Sequence, residues 1–362
     1  MHRLRARAPV AAAASLASST LLAQSATLPE NRVTATRFSE NTQSLPVGVS
    51  VITAEEIRAS GATTVNEAIS RLLGVPGRKD LYGGGETQLD LRGFGATADN
   101  NQVIVIDGVR VSEADLSGTR IAGIPIDSVE RIEVLRGNGA VLYGEGATGG
   151  VIVITTRAGS GRQRPNGGTV YGAAGSNGLR EGRAGVTVNA GGFTFDADVQ
   201  KRREDGWRQN SASDIDAAGV TGQWSNSWLR LGARVSRDEL DARLPGGLST
   251  AQYDADPRQS VTPNDTASLR NERAAVFGRA EVAGWELAFD AGTRTRELRS
   301  LNAGFAYDYD IEADFRASEG ATSAASATSP TSSSPASTGT TGGATCSAPS
   351  DRPRRSAPAA ST

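Results

Sequence analysis

The chain has 362 residues, a formal net charge of −2, a mean hydropathy of −0.33 and only 5% aromatic residues. So balanced a charge projects no field for nucleic acid, and no stretch reaches the roughly 20 apolar residues of a transmembrane helix, though a membrane β-strand needs only about 9–11 alternating ones. Cys346 and His2 are the only residues of their types, which excludes a disulfide framework, a cysteine metal cluster and, once the leader that carries His2 is removed, histidine-dependent triads and zinc centres.

Residues 1–23 are predicted to be a secretory signal peptide. Arg3, Arg5 and Arg7 open it, Val10–Ala23 is apolar and small, and Leu21-Leu22-Ala23 offers a cleavage site. After a polar segment, Val47–Ile52 reads as a strand. Thr53 with Glu56, and Thr64 with Glu67, are spaced as capping boxes for two helices, the first stopping near Gly61 and the second at Gly74 and Pro76. Val65, Ala68, Ile69 and Leu72 recur at helical spacing and are core candidates. Lys79–Gln88 reads as a loop, Leu89–Arg92 as a strand ending in L-R-G, and Phe94–Gln102 as a second loop. Val103–Ile106 and Val109–Val111 flank Asp107-Gly108, a hairpin pattern. Val129–Leu135 is apolar enough to be a buried strand, and β-branched Val151–Thr156 is another.

Between those two strands lie Gly137, Gly139, Gly144, Gly146, Gly149 and Gly150. Gly144, Gly146 and Gly149 match G-x-G-x-x-G, but a dinucleotide site needs a helix to open on the glycines, and Val-Ile-Val-Ile-Thr-Thr follows instead. The whole run R-I-E-V-L-R-G-N-G-A-V-L-Y-G-E-G-A-T-G-G-V-I-V-I-T-T-R, Arg131–Arg157, resembles the end of the plug domain of TonB-dependent outer-membrane receptors. It departs from that family at Asn138, where proline is common after R-G.

The resemblance implies a fold class: an α+β plug domain followed by antiparallel all-β structure, an incomplete transmembrane β-barrel, with a disordered C-terminal tail. It implies a Ton box and linker at 24–42, a plug at 43–158 and a partial barrel at 169–316. Asn31, Arg32, Val33, Thr34, Ala35 and Thr36 are then the segment that pairs as a strand with TonB, the periplasmic energy transducer. β-Augmentation would supply the affinity; the bland alternative is an ordinary linker. Arg92 and Arg136 match the family's L-R-G and V-L-R-G positions, whose arginines latch the plug to barrel glutamates. Substrate would meet the apical loops, where Tyr82, Gly84, Glu86, Gln88, Asn100, Asn101 and Asp115 are candidates. The implied partners are TonB, outer-membrane lipid and a small ligand such as a metal chelate (a ferric siderophore or cobalamin). The resemblance implies no enzyme activity, no cofactor and no bound nucleic acid.

From Thr169 strands dominate. Phe193, Phe195, Ala197 and Val199 alternate with Thr194, Asp196, Asp198 and Gln200, and similar alternation runs through Leu229–Ser236 and Trp285–Gly292. Such strands have one apolar and one polar face, which suits a membrane barrel or a soluble sandwich equally. Asp205-Gly206-Trp207 resembles an early barrel element of the family, and Leu244–Asp265 reads as a long extracellular loop. In 317–362, 40 of 46 residues are Ala, Ser, Thr, Gly or Pro, too little apolar surface to order itself. About eight strands fit before that tail, against about 22 in the family. With 36 arginines and two lysines, the codons read as GC-rich, and a frameshifted or truncated gene model explains such a tail; a genuine low-complexity linker is the alternative. Two other functions stay open: a periplasmic plug or pseudogene product that transports nothing, and an exported carbohydrate-active protein on a β-scaffold.

Overall fold

The computed structural model describes residues 32–33, 40–41, 48–80, 86–112, 119–137, 143–144, 146–162 and 164–322. The signal peptide, most of the 24–42 segment and residues 323–362 of the predicted tail lie outside the described residues.

Two short strands, β1 (Arg32–Val33) and β2 (Glu40–Asn41), pair antiparallel. β3 (Gly48–Thr53) then leads into α1 (Ala54–Ser60) and α2 (Val65–Leu73). The first predicted capping box is present, Thr53 and Glu56 exchanging side-chain bonds, and Gly61 ends α1 at φ 65°. The second is offset. Thr64 accepts from the Glu67 amide, but the Glu67 carboxylate reaches past it to the Thr63 amide at 2.7 Å and hydroxyl at 3.0 Å. Both donors there belong to one residue, so the carboxylate is satisfied without Thr64.

β4 (Gly77–Lys79) and β5 (Thr87–Leu89) form a ribbon, so both ends of the predicted 79–88 loop are strand. The predicted Leu89–Arg92 strand is corrected: it stops at Leu89, because the Asp90 carboxylate collects the amides of Arg92, Gly93, Phe94 and Gly95 at 2.7–3.2 Å and curls the chain. A 3₁₀ helix, Gly95–Asn101, replaces most of the second predicted loop. β6 (Gln102–Ile106) and β7 (Val109–Arg110) form the expected hairpin, with Asp107 at φ 50° and Gly108 at φ 87°, the signs a type I′ turn requires. β8 (Val129–Arg136) and β9 (Gly150–Thr156) complete a sheet of order β3-β8-β9-β6-β7, in which β6 and β9 run parallel. Ile52, Val65, Ile69, Ile104, Ile132 and Ile152 fill the space between helices and sheet. Gly150, at φ 148°, passes so close to Leu135 and Leu91 that a Cβ would collide with both. The glycine-punctuated stretch is a strand return and not a phosphate cradle.

The wall follows as eight strands in sequential antiparallel order: β10 (Gly167–Ala174), β11 (Arg180–Ala190), β12 (Phe193–Glu204), β13 (Ser213–Ser225), β14 (Leu229–Arg243), β15 (Thr266–Val282), β16 (Trp285–Asn302) and β17 (Phe305–Thr322). It starts two residues before the predicted boundary. The tail boundary is corrected, since β17 continues through Thr322 and pairs Ala317–Thr322 with Trp285–Asp290. Ladder hydrogen bonds need backbone only, so small residues extend a strand that they could not nucleate. Among the described residues β10 and β17 are unpaired edges. The predicted 244–265 loop carries a short helix, α3 (Thr250–Ala255).

The alternation resolves the choice between barrel and sandwich. Phe193 is 62% exposed, Val235 55% and Leu231 48%, whereas Asp196 is 8% and Gln200 4% exposed. In the half of the wall near the short turns, apolar side chains face out and charged ones face in, the inverse of a soluble sheet; toward the long-loop end of β13–β16 the faces swap, with Ile215, Leu240, Leu269 and Leu298 buried and Asp214, Asp216, Arg237 and Arg270 exposed. Trp228, Trp285 and Phe193 cluster at the turns on one end, as an interfacial aromatic girdle does. The turns at that end are short, Gly191-Gly192 and Ala283-Gly284 among them, and the long 244–265 loop is at the other end. In membrane barrels this asymmetry marks the periplasmic and extracellular sides.

Candidate functional site

Among the described residues the plug docks against the polar inner face of the wall through charge, with the arginines on the wall and the carboxylates on the plug. Arg136 donates to the Ser50 hydroxyl at 2.8 Å and the Leu73 carbonyl at 3.1 Å, both inside the plug. Arg92 stands exposed in the Asp90 turn with no ion pair among the described residues. The expected Arg92 and Arg136 contacts with wall glutamates are therefore absent among the described residues. Arg136 is held by β3 and the end of α2.

The wall supplies the arginines instead. Arg183 on β11 pairs with Asp127 at 2.7 Å and donates to the Thr63 carbonyl at 3.2 Å. On β14, Arg234 pairs with Asp107 at 3.1 Å and donates to its carbonyl at 2.6 Å, while Arg230 donates to the carbonyls of Ala158 and Gly159 at 2.9 and 3.1 Å. Arg294 on β16 donates to the Val111 carbonyl. A guanidinium has five donors and no acceptor, so a wall of inward arginines suits a partner that presents carbonyls and carboxylates. These residues were not legible in the sequence, because most of their plug partners are backbone oxygens, which leave no mark there. The inward alternation of Arg230 and Arg234 was the available clue.

Asp107 has two tasks. Its carboxylate accepts the Thr156 amide and hydroxyl, both at 2.7 Å, which ties the hairpin turn to β9, and it also meets Arg234. Gly159 has no room for a Cβ against that carboxylate, and none fits at Gly161 against Arg230. A cavity of about 310 Å³ separates the rest of this plug face from the wall, lined by Asp127, Arg183, Asp196 and Asp238 among others. Ala275 is the one wall residue in the plug's apolar cluster. The contact is thus polar and localised.

Of the predicted ligand-loop residues, Tyr82, Gly84 and Asp115 lie outside the described residues. Asn100 and Asn101 sit in the 3₁₀ helix, and Gln88 lies in β5, bonded to Arg78. Glu86 is corrected from a ligand-facing to an internal residue. It is buried, and its carboxylate accepts Asn66 Nδ2 at 2.8 Å and the amides of Ile121 and Ala122 at 2.9 and 2.8 Å. Burial pushes its pKa up to about 7, against the pull of Arg120 and the two amides. Burial and the nearby Asp80 also raise Asp99. Asp90 goes the other way: burial pushes its pKa up, but four amide donors hold it below the usual carboxylate value.

Of the predicted Ton-box residues, Arg32 and Val33 form β1, paired with Asn41 and Glu40. Asn31, Thr34, Ala35 and Thr36 lie outside the described residues. At the long-loop end of the wall, the residues just after Asp205-Gly206-Trp207 staple the 244–265 loop. Arg208 donates to the carbonyls of Pro245, Gly246 and Gln259, and Asn210 to those of Leu244, Thr262 and Asp265.

Residues 41–151 match the family model described as TonB-dependent Receptor Plug Domain. The chain is similar to the vitamin B12 transporter BtuB of Photobacterium profundum, 33% identical over 193 residues, which cover 49% of this chain and 31% of that protein. Against the vitamin B12 transporter BtuB of Vibrio cholerae serotype O1 the identity is 32%, over 54% of this chain and 33% of that one. The chain therefore spans about a third of the length of these relatives. Among solved structures, the ferric yersiniabactin uptake receptor FyuA from Yersinia pestis superposes with a TM-score of 0.63 at 16% identity, over 76% of this chain and 45% of that chain. The siderophore receptor PiuA from Acinetobacter baumannii superposes with a TM-score of 0.61 at 15% identity, over 81% and 44% of the two chains. At these identities the likeness is one of fold.

Proposed function

We propose that the chain is the plug and opening barrel strands of a TonB-dependent receptor and serves outer-membrane uptake of a scarce metal chelate, cobalamin or a ferric siderophore; the match of residues 41–151 to the plug family model supports this. The observation that carries this reading is the plug docked on the polar face of a wall whose other face is apolar. A ligand would bind on the extracellular side, above the plug. Engagement of Asn31, Arg32, Val33, Thr34, Ala35 and Thr36 by TonB would then pull on the plug from the periplasm. The pairing of Arg32–Val33 with Glu40–Asn41 supports this, because strand hydrogen bonds already form in that segment. No bond chemistry is needed.

The test is uptake of radiolabelled cyanocobalamin and of a panel of ferric siderophores by Gram-negative cells that lack their own receptors and express this protein. One chelate should accumulate, and accumulation should stop when TonB or residues 31–36 are removed. Uptake of none, or uptake indifferent to TonB, would overturn the reading. A second reading is a plug-bearing piece that transports nothing; among the described residues β10 and β17 are unpaired edges, which lipid cannot satisfy. Recovery of the chain in the periplasmic and not the membrane fraction would favour it.

A further inference from the structure

We propose that Phe277 is a positioning residue of the wall: its ring holds Arg230 and Arg234 apart, so that one guanidinium grips the plug's exit segment and the other its Asp107 hairpin. Phe277 on β15 lies directly opposite Gly232 on β14. Its ring tip covers that glycine so closely that a Cβ there would collide with it. Arg230 and Arg234 flank Gly232 at two residues on either side and point to the same inner face. Both guanidiniums stack on the same ring, each 4.9 Å from its centroid, within the roughly 6 Å range of a cation–π contact. The phenyl ring is 5% exposed, so it has one well-packed position and both arginines are set by it.

The pose also separates their tasks. Arg230 is braced by Gln223 at 2.7 Å and reaches the Ala158 and Gly159 carbonyls. Arg234 reaches Asp107, with wall Asp290 at 3.4 Å on its other side and Arg279 in turn bound to Asp290 at 2.6 Å. Like charges on inward positions either side of Gly232 would otherwise repel; the ring's negative faces and the Asp107 and Asp290 carboxylates offset that. Glycines occupy the plug positions pressed against this device: Gly108 faces Asp290, Gly159 faces Asp107 and Gly161 faces Arg230. The plug edge formed by residues 106–111 and 157–161 is therefore the edge retained on the wall, whatever moves elsewhere. This inference goes beyond the uptake reading and does not depend on it.

Hydrogen exchange by mass spectrometry on the full chain in detergent micelles tests it. Phe277→Leu removes the ring, and Gly232→Ala keeps the ring but displaces it. Each should speed exchange at least tenfold in peptides spanning 104–112 and 155–162, leaving 129–136 and β12 unchanged. Phe289→Leu, which trims a phenyl on the outer face of the next strand, should change none of these. Unchanged exchange in both plug peptides, acceleration of only one, uniform loosening of β13–β16, or the same response from Phe289→Leu would overturn the proposal.

Discussion

The plug and the wall use similar residues in opposite ways. The plug encloses Ile52, Ile69, Ile132 and Ile152 between helices and sheet and shows its polar residues to its surroundings. The wall exposes Phe193, Phe195, Leu231, Val235 and Trp285 and turns Asp196, Arg234, Asp290 and Arg294 inward. A β-strand presents two faces whichever solvent it meets; which face is apolar follows from where the water is. The plug meets water outside itself, and the wall holds its polar contacts inside. Docking is then charge on charge, so that each region can hold its own fold while the contact between them stays limited to a few guanidiniums.

The largest expected break of this contrast is in the plug core. Ile132→Ala should cost about 2–5 kcal/mol, read as a lowered urea midpoint for loss of protection in 129–136, whereas Phe195→Ala should leave that midpoint in place. The next concerns the wall. Phe195→Arg puts a charge on the lipid-facing side and should cost about 2–4 kcal/mol, measured as urea-dependent folding into lipid vesicles; if folding is unaltered, that face does not meet lipid.

The third sharpens the contrast through pH. Glu86 binds its proton more tightly in the folded plug, where its pKa is about 7 against 4.5 in a model compound. The plug should therefore gain stability as pH falls from 7 toward 4.5 and lose it as pH rises through the same window, by at most about 3 kcal/mol. Glu86→Gln should flatten this dependence in urea titrations at pH 5 and pH 8. The smallest effects concern docking. Arg234→Ala should loosen the 104–112 segment by about 1.5–3 kcal/mol, the range for hydrogen bonds to charged groups. Arg92→Ala, at an exposed turn, should change stability by less than about 0.5 kcal/mol. Equal effects from both would restore the expected plug-borne latch.

How much of this could be read in advance follows from where each interaction leaves its mark. Capping at Thr53 and Glu56, the turn at Asp107-Gly108 and the apolar run of β8 are local, and a sequence shows them. The end of β5 was misplaced because Asp90 competes for four amides that a strand pattern ignores. Glu86 reads as a loop carboxylate until Ile121 and Ala122, thirty-five residues on, are brought to it. The arginines that the wall sends to the plug were not legible, since a guanidinium bound to carbonyls needs no acidic partner anywhere in the sequence. The stack of Phe277 over Gly232 depends on a register between two strands forty-five residues apart, which alternation alone does not fix.

The double use of Asp107 carries a consequence for assembly. Its carboxylate is bound by Thr156 of β9 and by Arg234 of β14 at once, so the position that Arg234 grips is fixed by the side-by-side pairing of β6 and β9. A nascent or misfolded stopper offers that guanidinium nothing to seize. The wall's hold on the insert thus draws on the insert's own strand pairing.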